Sequence, residues 1–125
     1  MECFVTYVKE LNTNLVLVYR PETYPTPDFL DELYKVIISL PQENIDTSTI
    51  VLGDFNQDIL KKNSSIEQFM THQGFTQVVS HPTTDGNTLI DHVYLHGNLQ
   101  LDVDVVQTYY SYHNMVALHI KRPTL

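Results

Sequence analysis

The chain has 125 residues, 42% of them hydrophobic and 18% charged, a composition that suits one globular domain burying roughly two-thirds of its unfolded surface. Fifteen acidic against seven basic side chains leave a formal charge of −8, which argues against a domain whose main task is to coat nucleic-acid phosphate with surface cations. It leaves room for a metal-dependent phosphodiesterase, in which clustered carboxylates hold the cation that neutralises the phosphate. Cys3 is the only cysteine, so no disulfide forms within the chain and a reducing intracellular compartment, nuclear or cytoplasmic, is expected. The apolar runs fall far below the ~18 residues that suggest a membrane span, and Met1 to Tyr7 reads as a strand rather than a signal peptide.

In chain order, Phe4 to Val8 and Leu15 to Tyr19 alternate as adjacent strands, with Leu11-Asn12-Thr13-Asn14 as a polar turn between them. Thr26 is placed to cap a helix, with Pro27 at its first position and Asp28 complementing the dipole. Phe29, Leu30, Leu33, Val36, Ile37 and Leu40 recur at helical spacing on one apolar face, and Pro41 stops the helix. Thr49 to Leu52 reads as the next strand. Ser64 with Glu67 forms a capping box for a second helix that Gly74 ends. Phe75 to Val79, Thr88 to Leu95, Leu101 to Gln107 and Met115 to Ile120 then read as strands. The pattern predicts one α/β domain over residues 1–125, with mixed strands and two helices.

The chemistry concentrates where the strands end. Ile50-Val51-Leu52-Gly53-Asp54-Phe55-Asn56 is a buried strand that stops at a glycine, a carboxylate and a carboxamide. Alternation presents Asp54 and Asn56 to a cleft and turns Phe55 into the core. Gly-Asp-x-Asn is also ordinary turn chemistry, since Asp and Asn bond to nearby backbone. In Thr88 to Leu95, Asp91 stands mid-strand, where a carboxylate is costly to bury without a partner. His113 is the natural partner: a carboxylate on one imidazole nitrogen fixes the tautomer and turns the other toward substrate. His72, His81, His96 and His119 read as surface or packing residues.

Taken in order, Val18-Tyr19-Arg20-Pro21, Gly53-Asp54-Phe55-Asn56, Thr88-Leu89-Ile90-Asp91-His92-Val93 and Ser111-Tyr112-His113-Asn114 make the chain resemble the endonuclease/exonuclease/phosphatase superfamily. Within it, the likeness is to the apurinic-type endonuclease domains of transposable elements, Helitron-like or LINE-like. The resemblance implies part of a two-sheet α/β sandwich of the DNase I-like type with its N-terminal portion missing. It implies that Tyr19 contacts phosphate, that Asp54 positions and deprotonates the attacking water, and that Asn56 orients Asp54 and the phosphate. Asp91 and His113 are then the carboxylate–imidazole pair. The reaction implied is Mg²⁺-dependent phosphodiester hydrolysis that nicks DNA for a mobile element.

Two departures from that family pattern matter. Family members supply an early Asn and a metal-binding Glu from a further stretch, and Glu2, Glu10 and Glu22 do not stand in the matching strand context. The family's Ser-Asp-His reads Ser111-Tyr112-His113 here, so a phenol replaces a carboxylate near the metal. Asp54 and Asn56 remain the nearest metal candidates, and Mg²⁺ or Mn²⁺ is expected to bind weakly. The alternative function is a non-catalytic remnant of the fold that binds nucleic acid or protein. An upstream segment of the same domain or polyprotein, or a second copy at an open edge, is the expected partner besides DNA.

Overall fold

Alternating side chains on each strand sort the apolar residues onto two faces of one mixed sheet, and each face recruits a different layer. The computed structural model describes residues 1–121, so residues 122–125 of the expected domain lie outside the described residues. The strands are β1 (Glu2–Val8), β2 (Thr13–Tyr19), β3 (Ser48–Asp54), β4 (Thr76–Gln77), β5 (Asp91–His96), β6 (Gln100–Val106) and β7 (Met115–Lys121). The helices are α1 (Thr26–Ser39) and α2 (Ser65–His72). Five strands form one sheet in the order β1-β2-β3-β5-β4, and β6 and β7 form a second sheet as an antiparallel pair. β2 and β3 run parallel, as a strand–helix–strand crossover through α1 requires, and the other neighbours are antiparallel.

One face of the large sheet carries Val16, Val18, Val51 and Tyr94, which pack with Phe29 and Leu33 of α1 and Ile66 and Met70 of α2. The other face carries Ile50 and Val93, which pack under the inward residues of the β6–β7 pair: Leu101, Val103, Val105, Val116, Leu118 and Ile120. Those six follow the period of two that the sequence shows, with polar residues outward at Asp102, Asp104 and His119. Gly53 is obligatory where β3 runs closest to β2: its φ is +146° and an added Cβ would meet the Val18 carbonyl oxygen at 1.8 Å.

Several expected elements shift, each because its backbone groups are engaged elsewhere. Thr13 and Asn14, expected in a turn, are buried in β2; the turn is the 3₁₀ segment Lys9–Leu11, closed by Asn12 at φ 48°. Thr26 is the first residue of α1 rather than its cap, which falls on Pro25, and its hydroxyl accepts a bond from Arg20 instead. The expected strand Phe75 to Val79 shrinks to β4 because the Phe75 N–H caps α2 at the Met70 carbonyl. The strand expected from Thr88 starts only at Asp91: the Thr88, Leu89 and Ile90 carbonyls accept bonds from Thr83, Ile59 and Phe55. Ser64 does cap α2, accepting from the Glu67 N–H at 3.2 Å, and Gly74 turns the chain out at φ +86°. His72, His81, His96 and His119 are exposed as expected.

Candidate active site

Strand register builds the site. Residues paired across neighbouring strands project their side chains to the same face; Tyr19 pairs with Asp54, and Asp54 with Asp91. These three therefore form a row across β2, β3 and β5 on the face opposite the helices. Glu2 pairs with Tyr19 in β1, so it does stand in a strand and in this row. It sits two strand spacings, roughly 10 Å, from Asp54. Tyr19 leaves its ring 43% exposed at the margin.

His113 enters this row from the segment before β7. A β-bridge to Thr84, an Asn114 N–H donated to the Thr83 carbonyl and the His113 carbonyl accepting from Thr108 Oγ1 at 2.8 Å fix its backbone. The His113 N–H donates to Ser111 Oγ, which gives the serine of Ser-x-His a local positioning role. His113 Nδ1 donates to Asp91 Oδ2 at 2.8 Å, which leaves Nε2 3.6 Å from Asp54 Oδ2. The hydrogen bond that His113 donates to Asp91 holds the imidazole above its usual range, partly opposed by burial, and the negative charges of Asp91 and Asp54 add to the rise. Burial is also the main reason that Asp54 lies above the usual carboxylate range; the Asn56 N–H lowers it and the Asp91 charge raises it.

Asn56 acts differently from the expectation. Its backbone N–H, not its carboxamide, bonds to Asp54 Oδ1 at 3.0 Å, and its Nδ2 donates to the Arg20 carbonyl at 2.7 Å. The left-handed backbone at φ 48°, which Asn tolerates well, makes that geometry possible. Tyr112 lies with its hydroxyl beside Gly86, where an added Cβ would meet it at 2.5 Å.

Three supporting residues carry no assigned role in the sequence reading. Arg20 is buried and donates to the carbonyls of Phe55, Asn56 and Tyr24 and to Thr26 Oγ1, clamping the Gly-Asp-Phe-Asn turn against the start of α1. Thr83 Oγ1 accepts from the N–H groups of Ile90 and Asp91, which sets the entry of β5. His92 is wholly buried and stacks on Phe55 with ring centroids 4.7 Å apart. Its Nε2 donates to the Gln57 carbonyl at 2.7 Å, so Nδ1 accepts from the Tyr94 hydroxyl. Burial pushes its pKa down to about 4. An arginine ending an apolar strand and a histidine inside one were the signals available for two of them.

The ligand atoms of Asp54, Asp91 and His113 lie within 4.8 Å of one another. One imidazole cannot balance two carboxylates, so the donor set suits a hard divalent cation held through oxygen.

No family model matches the chain, and no curated protein matches it in sequence. Solved structures do match. The endonuclease domain of TRAS1, a telomere-specific non-LTR retrotransposon, superposes with a TM-score of 0.69 at 16% identity over 96% of this chain and 68% of its own. An endonuclease/exonuclease/phosphatase family protein from Leptotrichia buccalis gives 0.67 at 14% identity over 95% and 53%. The inositol polyphosphate 5-phosphatase domain of spsynaptojanin, solved with inositol (1,4)-bisphosphate and calcium, gives 0.64 at 16% identity over 88% and 46%. The chain spans about half the length of several solved structures that it matches. With its five-stranded sheet, second sheet and two helices, it carries part of the DNase I-like α/β fold of these structures.

Proposed function

We propose that this chain is a phosphodiester-hydrolysing module of a DNA endonuclease, the kind of enzyme that nicks DNA for a mobile element. The observation that carries the reading is the hydrogen-bonded pair Asp91–His113 at 2.8 Å, with the Asp54 carboxylate 3.6 Å from the free imidazole nitrogen. Nuclease and phosphatase neighbours of the same fold support a hydrolase.

In this reading Asp91 fixes the His113 tautomer and favours the protonated ring, so that Nε2–H donates to a phosphoryl oxygen and stabilises charge as attack proceeds. Asp54, held by the Asn56 N–H, orients water in line with the scissile bond and takes its proton; a carboxylate above its usual range is the stronger base for this. Tyr19 offers its phenol to the phosphate from the neighbouring strand. Mg²⁺ or Mn²⁺ would be held by Asp54 and Asp91 oxygens, with Asn56 beside them, and when bound would polarise the phosphoryl group. Few hard-oxygen ligands stand here and Tyr112 occupies the family's carboxylate position, so binding is weak.

A second reading, a non-catalytic remnant that binds nucleic acid or protein, is favoured by that sparse donor set. Nicking of supercoiled plasmid in Mg²⁺ or Mn²⁺ decides between them. Activity abolished by EDTA and reduced at least about 100-fold by Asp54→Ala and by His113→Ala supports hydrolysis; plasmid left intact at every metal concentration supports the remnant. The exposed sheet face at Phe4 and Leu17 would be filled by an upstream segment of the same domain or polyprotein, or by a second copy. No helix among the described residues is long and apolar enough to cross a membrane; a nuclear or cytoplasmic site suits a DNA substrate and a lone cysteine.

A further inference from the structure

Beside the Asp91–His113 pair opens a cleft of about 570 Å³. One wall is the loop entering β5, with His81, Asp85 and Asn87; the other is the segment leaving β6, with Gln107, Tyr109 and Asn114. The walls are joined through the backbone that carries the catalytic histidine. Thr84 bridges His113, the Asp85 N–H donates to the Tyr112 carbonyl at 3.0 Å, and the Asn114 N–H to the Thr83 carbonyl at 2.8 Å. A ligand in the cleft is therefore held in a fixed relation to the site of hydrolysis.

The lining defines the ligand. Among the described residues no lysine or arginine lines the cleft, and Asp85 does, so phosphate is disfavoured there. Asp85, Asn87, Gln107 and Asn114 offer both donors and acceptors in the pattern that reads base edges. Tyr109 is 92% exposed and Tyr110 beside it 88%, and an exposed phenol or imidazole ring gives a planar heterocycle a face to stack on. We infer that this cleft binds an unpaired nucleobase of the strand whose phosphate lies at His113, stacked on Tyr109 and hydrogen-bonded by Asp85, Asn87 and Gln107. The inference rests on the phosphodiester reading for its choice of strand and adds the substrate class, single-stranded or locally unstacked nucleic acid. It also explains how a chain of charge −8 takes a polyanion: base stacking supplies what surface cations do not.

The test is fluorescence anisotropy in EDTA with a short single strand of deoxyadenosine and an abasic strand of the same length. The abasic strand should bind about 5- to 150-fold more weakly, the loss expected for a base removed from an aromatic face. Tyr109→Ala should erase that difference and Tyr109→Phe should keep it. The ratio between the two strands should change little with salt, because phosphate contacts cancel in it. Equal affinity for both strands, or a ratio that survives in Tyr109→Ala, overturns the inference. Hydrolysis of bis(p-nitrophenyl) phosphate by the wild-type chain in Mg²⁺ or Mn²⁺ tests the hydrolytic reading separately. Turnover without base discrimination removes the cleft alone; discrimination without turnover removes the hydrolytic reading and leaves the cleft.

Discussion

The two faces of the five-stranded sheet are covered unequally. On the helix side, α1 and α2 close over β2 to β5, and Val16, Val51, Phe55 and Tyr94 lose all exposure. On the other side the β6–β7 pair packs over Ile50 of β3 and Val93 of β5, with Leu15 of β2 at its margin, and none of its own described residues becomes fully buried. Phe4 and Leu17, paired across β1 and β2 on that side, stay 63% and 50% exposed. The row of candidate-site residues lies on this thinly covered face. Most of the largest fully buried side chains thus lie on one face of the sheet and the candidate site on the other, with Asp54 and Phe55 pointing to opposite sides from adjacent positions.

The sharpest way to break that contrast is to hollow the helix side. Phe55 contacts His92 in a parallel stack, Phe29 edge-on at 5.7 Å and Tyr94 edge-on at 5.5 Å. Phe55→Ala should cost about 3–5 kcal/mol in urea unfolding. It should also loosen Asp54, because the turn loses the anchor beside it. A loss under about 1 kcal/mol would mean that the helix layer does not fix the turn.

Acid probes the same side more gently. His92 is neutral in the fold, with a pKa near 4 against an ordinary 6.5, so the unfolded chain binds the additional proton. Stability is then complete above about pH 6.5 and falls as pH drops toward 4, by up to about 3 kcal/mol. Thermal midpoints of the wild type and of His92→Gln, compared between pH 7 and 5, check this: the wild type should decline more steeply. Parallel curves would show that the buried imidazole takes up its proton without cost.

How much of this was readable in the sequence follows from the range of the interactions involved. The apolar stripe of α1, the Ser64 cap and the alternation of β6 and β7 are local patterns, and each appears where its period predicts. Asp54, Asp91 and His113 were readable because Asp54 closes a strand, Asp91 opens one and His113 stands just before one, each within a recognisable motif. Arg20, Thr83 and His92 were not, because their work depends on which distant carbonyls and N–H groups arrive beside them: Arg20 serves Phe55, and His92 serves Gln57. The same cause shortened the strand expected from Thr88, whose backbone is taken by the Thr83 loop and the turn after β3. Asn56 shows the limit most clearly. Its presence at the site was readable, but whether its side chain or its main chain would hold Asp54 depends on a φ of 48°.

The smallest stability effect, and the one that most sharpens the comparison, is expected on the uncovered face. Leu17 neighbours the fully buried Val16 in β2, yet half of it meets solvent because, among the described residues, no layer covers it or its β1 partner Phe4. β1 is also an edge strand, with backbone groups free to pair. An apolar face beside an open edge recruits another chain. The wild type should therefore associate with rising concentration in light scattering, in spite of a charge that favours dispersion. Leu17→Lys and Phe4→Lys should shift it toward monomer while moving the thermal midpoint by no more than about 2–4 °C, since neither side chain gives up a buried environment. If the wild type stays a monodisperse monomer at high concentration, the face is tolerated bare and needs no covering segment. If instead the lysine variants unfold, Leu17 and Phe4 belong to the core after all, and the asymmetry between the two faces is smaller than their exposure implies.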